Sequence, residues 1–395
     1  MIYRKFQDKE LSWLGLGAMR LPATAEGYGA PIDEEKAMEL VKYAYDHGVN
    51  YYDTSYFYHS GDSERFIGEA LKRFPRESWY LASKMPGNMM SVNNGKLEVG
   101  GFNLESRTFR APAEVFDLQL KRCGVDYFDF YLLHNVSEQT YNIYTGENIG
   151  MIDCLLEEKA KGRIKHIGFS SHGRADTIEK FLLHLEAKCP GAFEFAMIQL
   201  NYMDWALQEG GKKYDVLTKH GLSVFVMEPL RGGKLANLRP DAHEILKVAR
   251  PSDSHASWAF KYLQSLDNIP VILSGMSNLE QLKENLSFFE KHAPLSEDEL
   301  KLLGRVMENI SELAPCTACA YCIEGCPMKL NIPMLLTMYN EAGFEIAWML
   351  RAAFGALGDG EKPSACTNCG NCVPLCPQNI DIPEALRKFN KMMSE

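Results

Sequence analysis

Short apolar runs that end in small or polar residues recur eight times before the cysteine-rich end of the chain: SWLGLGAM, VNYYDTS, WYLASKM, FDFYLLH, IKHIGFSS, AMIQLNYM, LSVFVMEPL and IPVILSGMS. Between them lie segments with apolar residues at helical spacing, such as EEKAMELVKYAYDHG and APAEVFDLQLKRCGV, several closed by a glycine suited to a helix C-terminus. Near-continuous hydrophobic strands alternating with helices predict an α/β fold with a parallel sheet covered by helices. Eight repeats favour closure into a (β/α)8 barrel over an open doubly wound sheet. No GxGxxG follows the first strand, which also counts against a Rossmann domain. One connection is unusually long. PGNMMSVNNGKLEVGGFNLESRTFR follows the third strand, at the barrel end that carries active sites, and reads either as a cover for a substrate pocket or as a surface insertion.

After Met276 the pattern gives a helix in SNLEQLKENLSFFEKH and another in SEDELKLLGRVMENISEL, and then the cysteines begin. Of eleven, Cys123, Cys154 and Cys189 are scattered and read as small buried hydrophobes. The other eight form two copies of one pattern, CTACAYCIEGCP at 316–327 and CTNCGNCVPLCP at 366–377. The division marks a domain boundary, with a barrel in residues 1–300 and a small domain in 301–395. Helical apolar spacing in NIPMLLTMYNEAGFEIAWMLRAAFGALG makes the small domain mainly helical.

In C-x2-C-x2-C-x3-C-P, three thiolates of a tight loop hold one cubane, and the fourth, followed by proline, turns away to the other cluster. Two copies complete each other. Cys316, Cys319, Cys322 and Cys376 then hold one [4Fe–4S] cluster, and Cys366, Cys369, Cys372 and Cys326 the second. Zinc ribbons also use C-x2-C pairs but have no need of the third cysteine and the C-x3-C-P step, so iron–sulfur is the expectation.

Composition narrows the class further. With 46% hydrophobic and 24% charged residues, the chain can bury a full core. A formal net charge of −10 gives no general attraction to phosphate backbones or anionic lipid, so neither nucleic acid nor a membrane is an expected partner. The N-terminus MIYRKFQDKELSW lacks a signal-peptide run, and no segment reaches the roughly 20 apolar residues of a membrane span. A large core without a disulfide framework points to a reducing cytoplasm.

Polar residues at C-terminal strand ends are the catalytic candidates of a barrel. Asp53 ends the second strand, Tyr58 follows five residues later, Lys84 ends the third strand and His134 the fourth. This order resembles the tetrad of the aldo-keto reductase superfamily, and the resemblance extends through IGFSS, MIQLNY and GMSNLEQLKENL. With the cysteine domain, the chain resembles the aldo/keto reductases that carry a C-terminal ferredoxin-type domain with two [4Fe–4S] clusters. In that chemistry a hydride reduces a carbonyl to an alkoxide, which a tyrosine protonates. A phenol with a reference pKa of about 10 is a poor acid–base group near neutrality. A lysine ammonium beside it favours the phenolate, an aspartate holds the lysine, and a histidine hydrogen-bonds the substrate oxygen. The resemblance therefore makes Tyr58 the acid/base, backed by Lys84 and Asp53, with His134 on the oxygen in either charge state. Tyr56 is a rival that only the spacing disfavours.

The resemblance also implies an extended nicotinamide site without a Rossmann fold. Ser170, Ser171 and Gln199 match the nicotinamide contacts, Gly232, Gly233 and Lys234 the pyrophosphate contacts, and Gly275, Ser277, Gln281 and Asn285 the adenosine contacts. Two departures stand out. Met227 takes the place of an aromatic ring at the end of strand seven, and GMSNLEQ offers no base for a 2′-phosphate before Lys283, leaving NADPH and NADH both open. Because hydride carries two electrons and each cluster passes one, a flavin or another electron-splitting group is also open. Three readings follow: a carbonyl or alcohol oxidoreductase whose clusters relay electrons to a ferredoxin-like partner, an electron-transfer protein with the barrel as a docking scaffold, and a simple reductase with structural or oxygen-sensing clusters.

Overall fold

In the computed structural model, eight parallel strands close into a barrel: β1 (Leu14–Gly17), β2 (Tyr51–Asp53), β3 (Tyr80–Met85), β4 (Phe128–Leu133), β5 (Ile164–Ser171), β6 (Phe193–Gln199), β7 (Ser223–Met227) and β8 (Val271–Ser274). They pair in chain order and β8 returns to β1. The structure describes residues 1–25, 30–93, 96–101, 104–138, 140–238, 240–310, 314, 316, 321–343, 348–355, 357–376 and 378–394. Among these, no helix is long and apolar enough to cross a membrane. The chain divides into two compact units, Met1–Gly232 with Ala256–Leu295, and Gly233–His255 with Ser296–Glu395.

The barrel is filled by aromatic rings from the N-terminal halves of its strands. Tyr51, Phe130, Phe195 and Phe225 are fully buried and pack edge-on or tilted against one another. Glycines make room for two of them. A Cβ on Gly15 would stand 2.9 Å from the Tyr51 ring, and one on Gly168 would stand 2.6 Å from the Phe195 ring. The plug comes from an element that the apolar pattern does not reveal. Tyr3–Phe6 and Lys9–Ser12 pair as an antiparallel hairpin, and Phe6 inserts its ring 5.5 Å from Phe130, 5.9 Å from Phe195 and 5.4 Å from Phe225, centroid to centroid.

Parallel register aligns the strand ends that matter for chemistry. Gly17 pairs with Asp53, Asp53 with Ala82, and Lys84 with Leu132, so Asp53, Lys84 and the residue after β4, His134, lie at one end. The long connection after β3 is not irregular. It folds into a three-stranded antiparallel sheet, Met90–Asn93, Lys96–Gly101 and Leu104–Phe109, whose Met90, Leu97 and Val99 are buried.

The second unit is helical, with no strand among its described residues. Ile332–Ala342 packs on Ile382–Ser394 around Leu335, Leu336, Tyr339, Leu386 and Phe389. Helix Pro240–Ala249, which lies in sequence between β7 and β8, packs on Glu297–Ile310 in this unit, where Arg250 Nε bonds Glu299 Oε1 at 2.6 Å.

Because Phe6 caps the aromatic column from the hairpin, with Leu11 in the same buried cluster, Phe6→Ala is expected to cost about 3–5 kcal/mol of stability. Urea denaturation followed by tryptophan fluorescence reads this directly, and a loss below about 1 kcal/mol would show that the hairpin is not part of the core.

Candidate active site and cluster centres

Lys84 is 1% exposed and Asp53 0%, so neither charge is solvated. Lys84 Nζ donates to Asp53 Oδ1 at 2.5 Å and to the Thr54 carbonyl at 2.8 Å, and stands 3.5 Å from the Tyr58 hydroxyl. Tyr58 opens a tight turn, Tyr58–Gly61, in which His59 and Ser60 adopt left-handed backbone angles of φ 50° and 53°. That turn carries the Tyr58 ring within 5.0 Å of the ammonium and edge-on to His134 at 6.2 Å. Tyr56 is placed differently, with its ring 4.4 Å under the Arg122 guanidinium and its phenol pushed up by burial. The charge of Arg107, from the sheet after β3, also acts on Tyr56.

Burial raises the Asp53 carboxyl and lowers the Lys84 ammonium, while each partner's charge opposes the change. His134 is held well below the ordinary imidazole value by burial, and the charges of Lys84 and His172 add to this. It is therefore neutral at pH 7. Its Nδ1 lies 3.1 Å from Ser55 Oγ, and Phe57 stacks on the ring at 4.8 Å and 14°.

A second layer of polar residues escaped the sequence reading. Glu64 is wholly buried and accepts from Ser83 Oγ at 2.7 Å, Gln119 Nε2 at 2.6 Å and Arg122 Nη1 at 3.2 Å. Gln119 Nε2 also lies 3.0 Å from the Lys84 carbonyl, which ties this network to the backbone of the lysine. Glu64 and Gln119 occupy helices Ser63–Leu71 and Pro112–Cys123, where a polar residue in an amphipathic pattern reads as solvated.

The positions matched to a nicotinamide site fall into groups. Ser170 Oγ accepts from Asn135 N at 2.9 Å and keeps its own O–H. Ser171 Oγ donates to the Val136 carbonyl and accepts from Gly173 N, so it is occupied. Gln199 donates to Asp204 Oδ2 at 2.7 Å and pairs with His172 Nδ1 at 3.1 Å, leaving one amide hydrogen. Met227 pairs in register with Gln199 and packs on the barrel core.

Around β8, Ser277 N donates to Gln281 Oε1 at 2.8 Å, and Asn285 Nδ2 lies 3.2 Å from Ser274 Oγ. Arg20 joins this group unannounced. Ser277 Oγ donates to its carbonyl at 3.0 Å, its side chain lies along Gly275, and its Nη2 is 3.4 Å from where a Gly232 Cβ would stand. Gly232 and Gly233 have φ of 69° and 99°, which only glycine adopts freely. Lys234 belongs to the second unit and is ion-paired with Glu341. Spare donors on Ser170 and Gln199 and an exposed guanidinium beside two glycines fit an amide-bearing, phosphate-bearing cofactor.

In the second unit Cys326, Cys366, Cys369 and Cys372 line one cavity with Thr367 and with apolar residues such as Leu330 and Ile332. Left-handed turns at Asn368 and Gly370 fold the loop that carries three of them. The Cys372 thiol is pushed up by burial and by the other three cysteines. Thiols are the donor type that an iron–sulfur cluster takes, and among the described residues no three His, Cys, Asp or Glu side chains stand close enough to hold a metal ion as they are. Cys316, Cys322 and Cys376 adjoin the same helical core, and Cys319 lies outside the described residues. Burial likewise raises the thiols of the scattered Cys123 and Cys189 and pushes Cys154 up to about 12.

Comparison with known proteins agrees with this architecture. Residues 13–308 match the model of the Aldo/keto reductase family, and residues 315–381 match a 4Fe-4S dicluster domain. L-galactose dehydrogenase of Arabidopsis thaliana is 24% identical over 75% of this chain and 92% of its own length. NADH-specific methylglyoxal reductase of Escherichia coli K12 is 26% identical over 71% of this chain and 90% of its own. A Glycine max protein named as an aldo-keto reductase is 30% identical over 174 residues, a stretch that spans 45% of its length. Among solved structures, the aldo-keto reductase AKR11C1 from Bacillus halodurans in its holo form superposes with a TM-score of 0.59 at 25% identity, covering 78% of this chain and 96% of that one. The chain is an oxidoreductase that belongs to the aldo/keto reductase family and carries a 4Fe-4S dicluster domain after the barrel.

Proposed function

We propose that the barrel reduces a carbonyl with NADPH or NADH, or oxidises the corresponding alcohol with the oxidised dinucleotide, and that two [4Fe–4S] clusters relay electrons to a ferredoxin-like partner. The observation that carries the first part is Lys84, whose ammonium stands between the Asp53 carboxylate at 2.5 Å and the Tyr58 hydroxyl at 3.5 Å, out of reach of water.

A bound nicotinamide would supply the hydride. Tyr58 gives its proton to the carbonyl oxygen as charge develops there, and the Lys84 ammonium stabilises the phenolate left behind. Asp53 keeps Lys84 charged in a site whose burial would otherwise favour the neutral amine. His134, neutral through burial, is suited to donate a hydrogen bond to the substrate oxygen without competing with Tyr58 as the acid. In the reverse direction the same groups take the alcohol proton.

Ser170 and Gln199 would hold the nicotinamide amide, with Ser171 shaping the loop between them. Gly232, Gly233 and Arg20 would meet the pyrophosphate, and Gly275, Ser277, Gln281 and Asn285 the adenosine end. Lys234 would have to leave Glu341 to reach a phosphate. The family match supports a nicotinamide and lends nothing to a flavin. In the second unit, Cys326, Cys366, Cys369 and Cys372 would hold one cluster, and Cys316, Cys319, Cys322 and Cys376 the other. Each cluster would pass one electron at a time whereas nicotinamide gives two as hydride, so a relay between them would need an electron-splitting group, and electrons so relayed are not the ones that reduce the carbonyl. The substrate would be a small-molecule carbonyl or alcohol.

Tyr58→Phe is expected to lower turnover of aldehyde substrates about 10²- to 10⁴-fold while binding of NADH or NADPH, followed by fluorescence, is kept. Full turnover in this variant would remove the tetrad. Arg20→Ala is expected to weaken dinucleotide binding about tenfold at unchanged turnover under saturation, a loss of about 1.4 kcal/mol, and unchanged affinity would leave Arg20 as packing for Gly275. For the relay, anaerobic visible and EPR spectra of the iron-loaded protein are expected to show bleaching on mixing with NADH or NADPH. Binding of both without bleaching would make the clusters structural or served by another donor.

A further inference from the structure

Two residues after Asp53, Ser55 has a wholly buried side chain whose Oγ lies 3.1 Å from His134 Nδ1. No other hydrogen bond of that hydroxyl is seen among the described residues. A buried hydroxyl has one proton to place, and leaving it without an acceptor is costly. If Nδ1 carried the ring proton and donated it to Oγ, the serine proton would be orphaned. If Oγ donates to an unprotonated Nδ1, both groups are satisfied and the ring proton must sit on Nε2.

We propose that Ser55 is a positioning residue that fixes His134 in the Nε2–H tautomer, so that the nitrogen left for substrate is a hydrogen-bond donor. This rests on the tetrad reading, in which His134 polarises a carbonyl oxygen. The opposite tautomer would offer that oxygen a lone pair and repel it.

Every other contact holds the residue without choosing the tautomer. The His134 backbone N–H donates to the Met85 carbonyl at 3.0 Å, its carbonyl accepts from the Tyr144 hydroxyl, and Phe57 stacks on the ring face. The charged or titratable neighbours are Lys84 and His172, which disfavour the imidazolium, and Tyr58, which meets the ring edge-on. None of these accepts or donates at Nδ1. Among the described residues, Ser55 thus supplies the one interaction that distinguishes the two nitrogens.

The test uses the full chain labelled with [15N]histidine, with His134 assigned by its loss in His134→Gln. Long-range 1H–15N correlation should show Nδ1 unprotonated and Nε2 protonated in the parent, and an averaged mixture of tautomers in Ser55→Ala. Turnover of carbonyl reduction in Ser55→Ala should fall about 10- to 100-fold with dinucleotide affinity unchanged. A proton on Nδ1 in the parent, or a His134 spectrum that Ser55→Ala leaves unaltered, overturns the proposal. The two readings fail separately. Tyr58→Phe with full turnover ends the tetrad reading, whereas the spectrum judges Ser55 whatever the turnover.

Discussion

A lysine ammonium and an aspartate carboxylate meet at the C-terminal end of the barrel with almost no access to water, and Asp53 Oδ2 has no hydrogen-bond partner among the described residues. Burying two charges costs several kcal/mol for each ion unless the pair is close and its remaining donors are used. Lys84 uses its own on Asp53 Oδ1 and the Thr54 carbonyl, and its third lies toward Tyr58. Underneath, the buried Glu64 adds a negative charge that favours the ammonium, and is itself held by Ser83, Gln119 and Arg122. Replacing such a pair by apolar residues would often stabilise a fold. Its presence at the strand ends, directed at a tyrosine, is therefore better explained by chemistry than by stability.

The parts of this site legible in the sequence are those borne on strands. VNYYDTS, WYLASKM and FDFYLLH announce themselves as buried runs, and the residues that end them must share one end of a parallel barrel. Helix-borne members stay hidden. Glu64 and Gln119 meet only because Ser63–Leu71 packs on Pro112–Cys123, a pairing that no local period encodes. Arg20 is hidden for a related reason: it follows β1 in sequence, but its neighbours come from β8 and the loop after β7, brought together by closure of the barrel. The N-terminal hairpin is missed because its strands are four residues each, and Phe6 is the single residue of the first strand that is buried.

The cysteine pattern is legible for the opposite reason. Its spacing is itself the geometry, since three ligands within seven residues can only surround a small volume, and proline after the fourth forces the chain onward. Cys326 of the first copy lines one cavity with Cys366, Cys369 and Cys372 of the second. Distance along the chain is no obstacle here, because the helices between the copies, Ile332–Ala342 among them, form the core against which both cysteine loops fold.

What the pattern could not convey is where the barrel stops being only a barrel. The chain leaves the first unit after Gly232, contributes Pro240–Ala249 to the second, returns at Ala256 for β8, and crosses again after Leu295. Three covalent crossings therefore join the units, and the first lies within the Gly232–Gly233 pair. Both glycines occupy left-handed angles that a side chain would resist. Lys234, the next residue, is anchored to Glu341 on a helix of the cluster unit. The loop that the family resemblance assigns to the pyrophosphate is thus also the first covalent link to the iron–sulfur half.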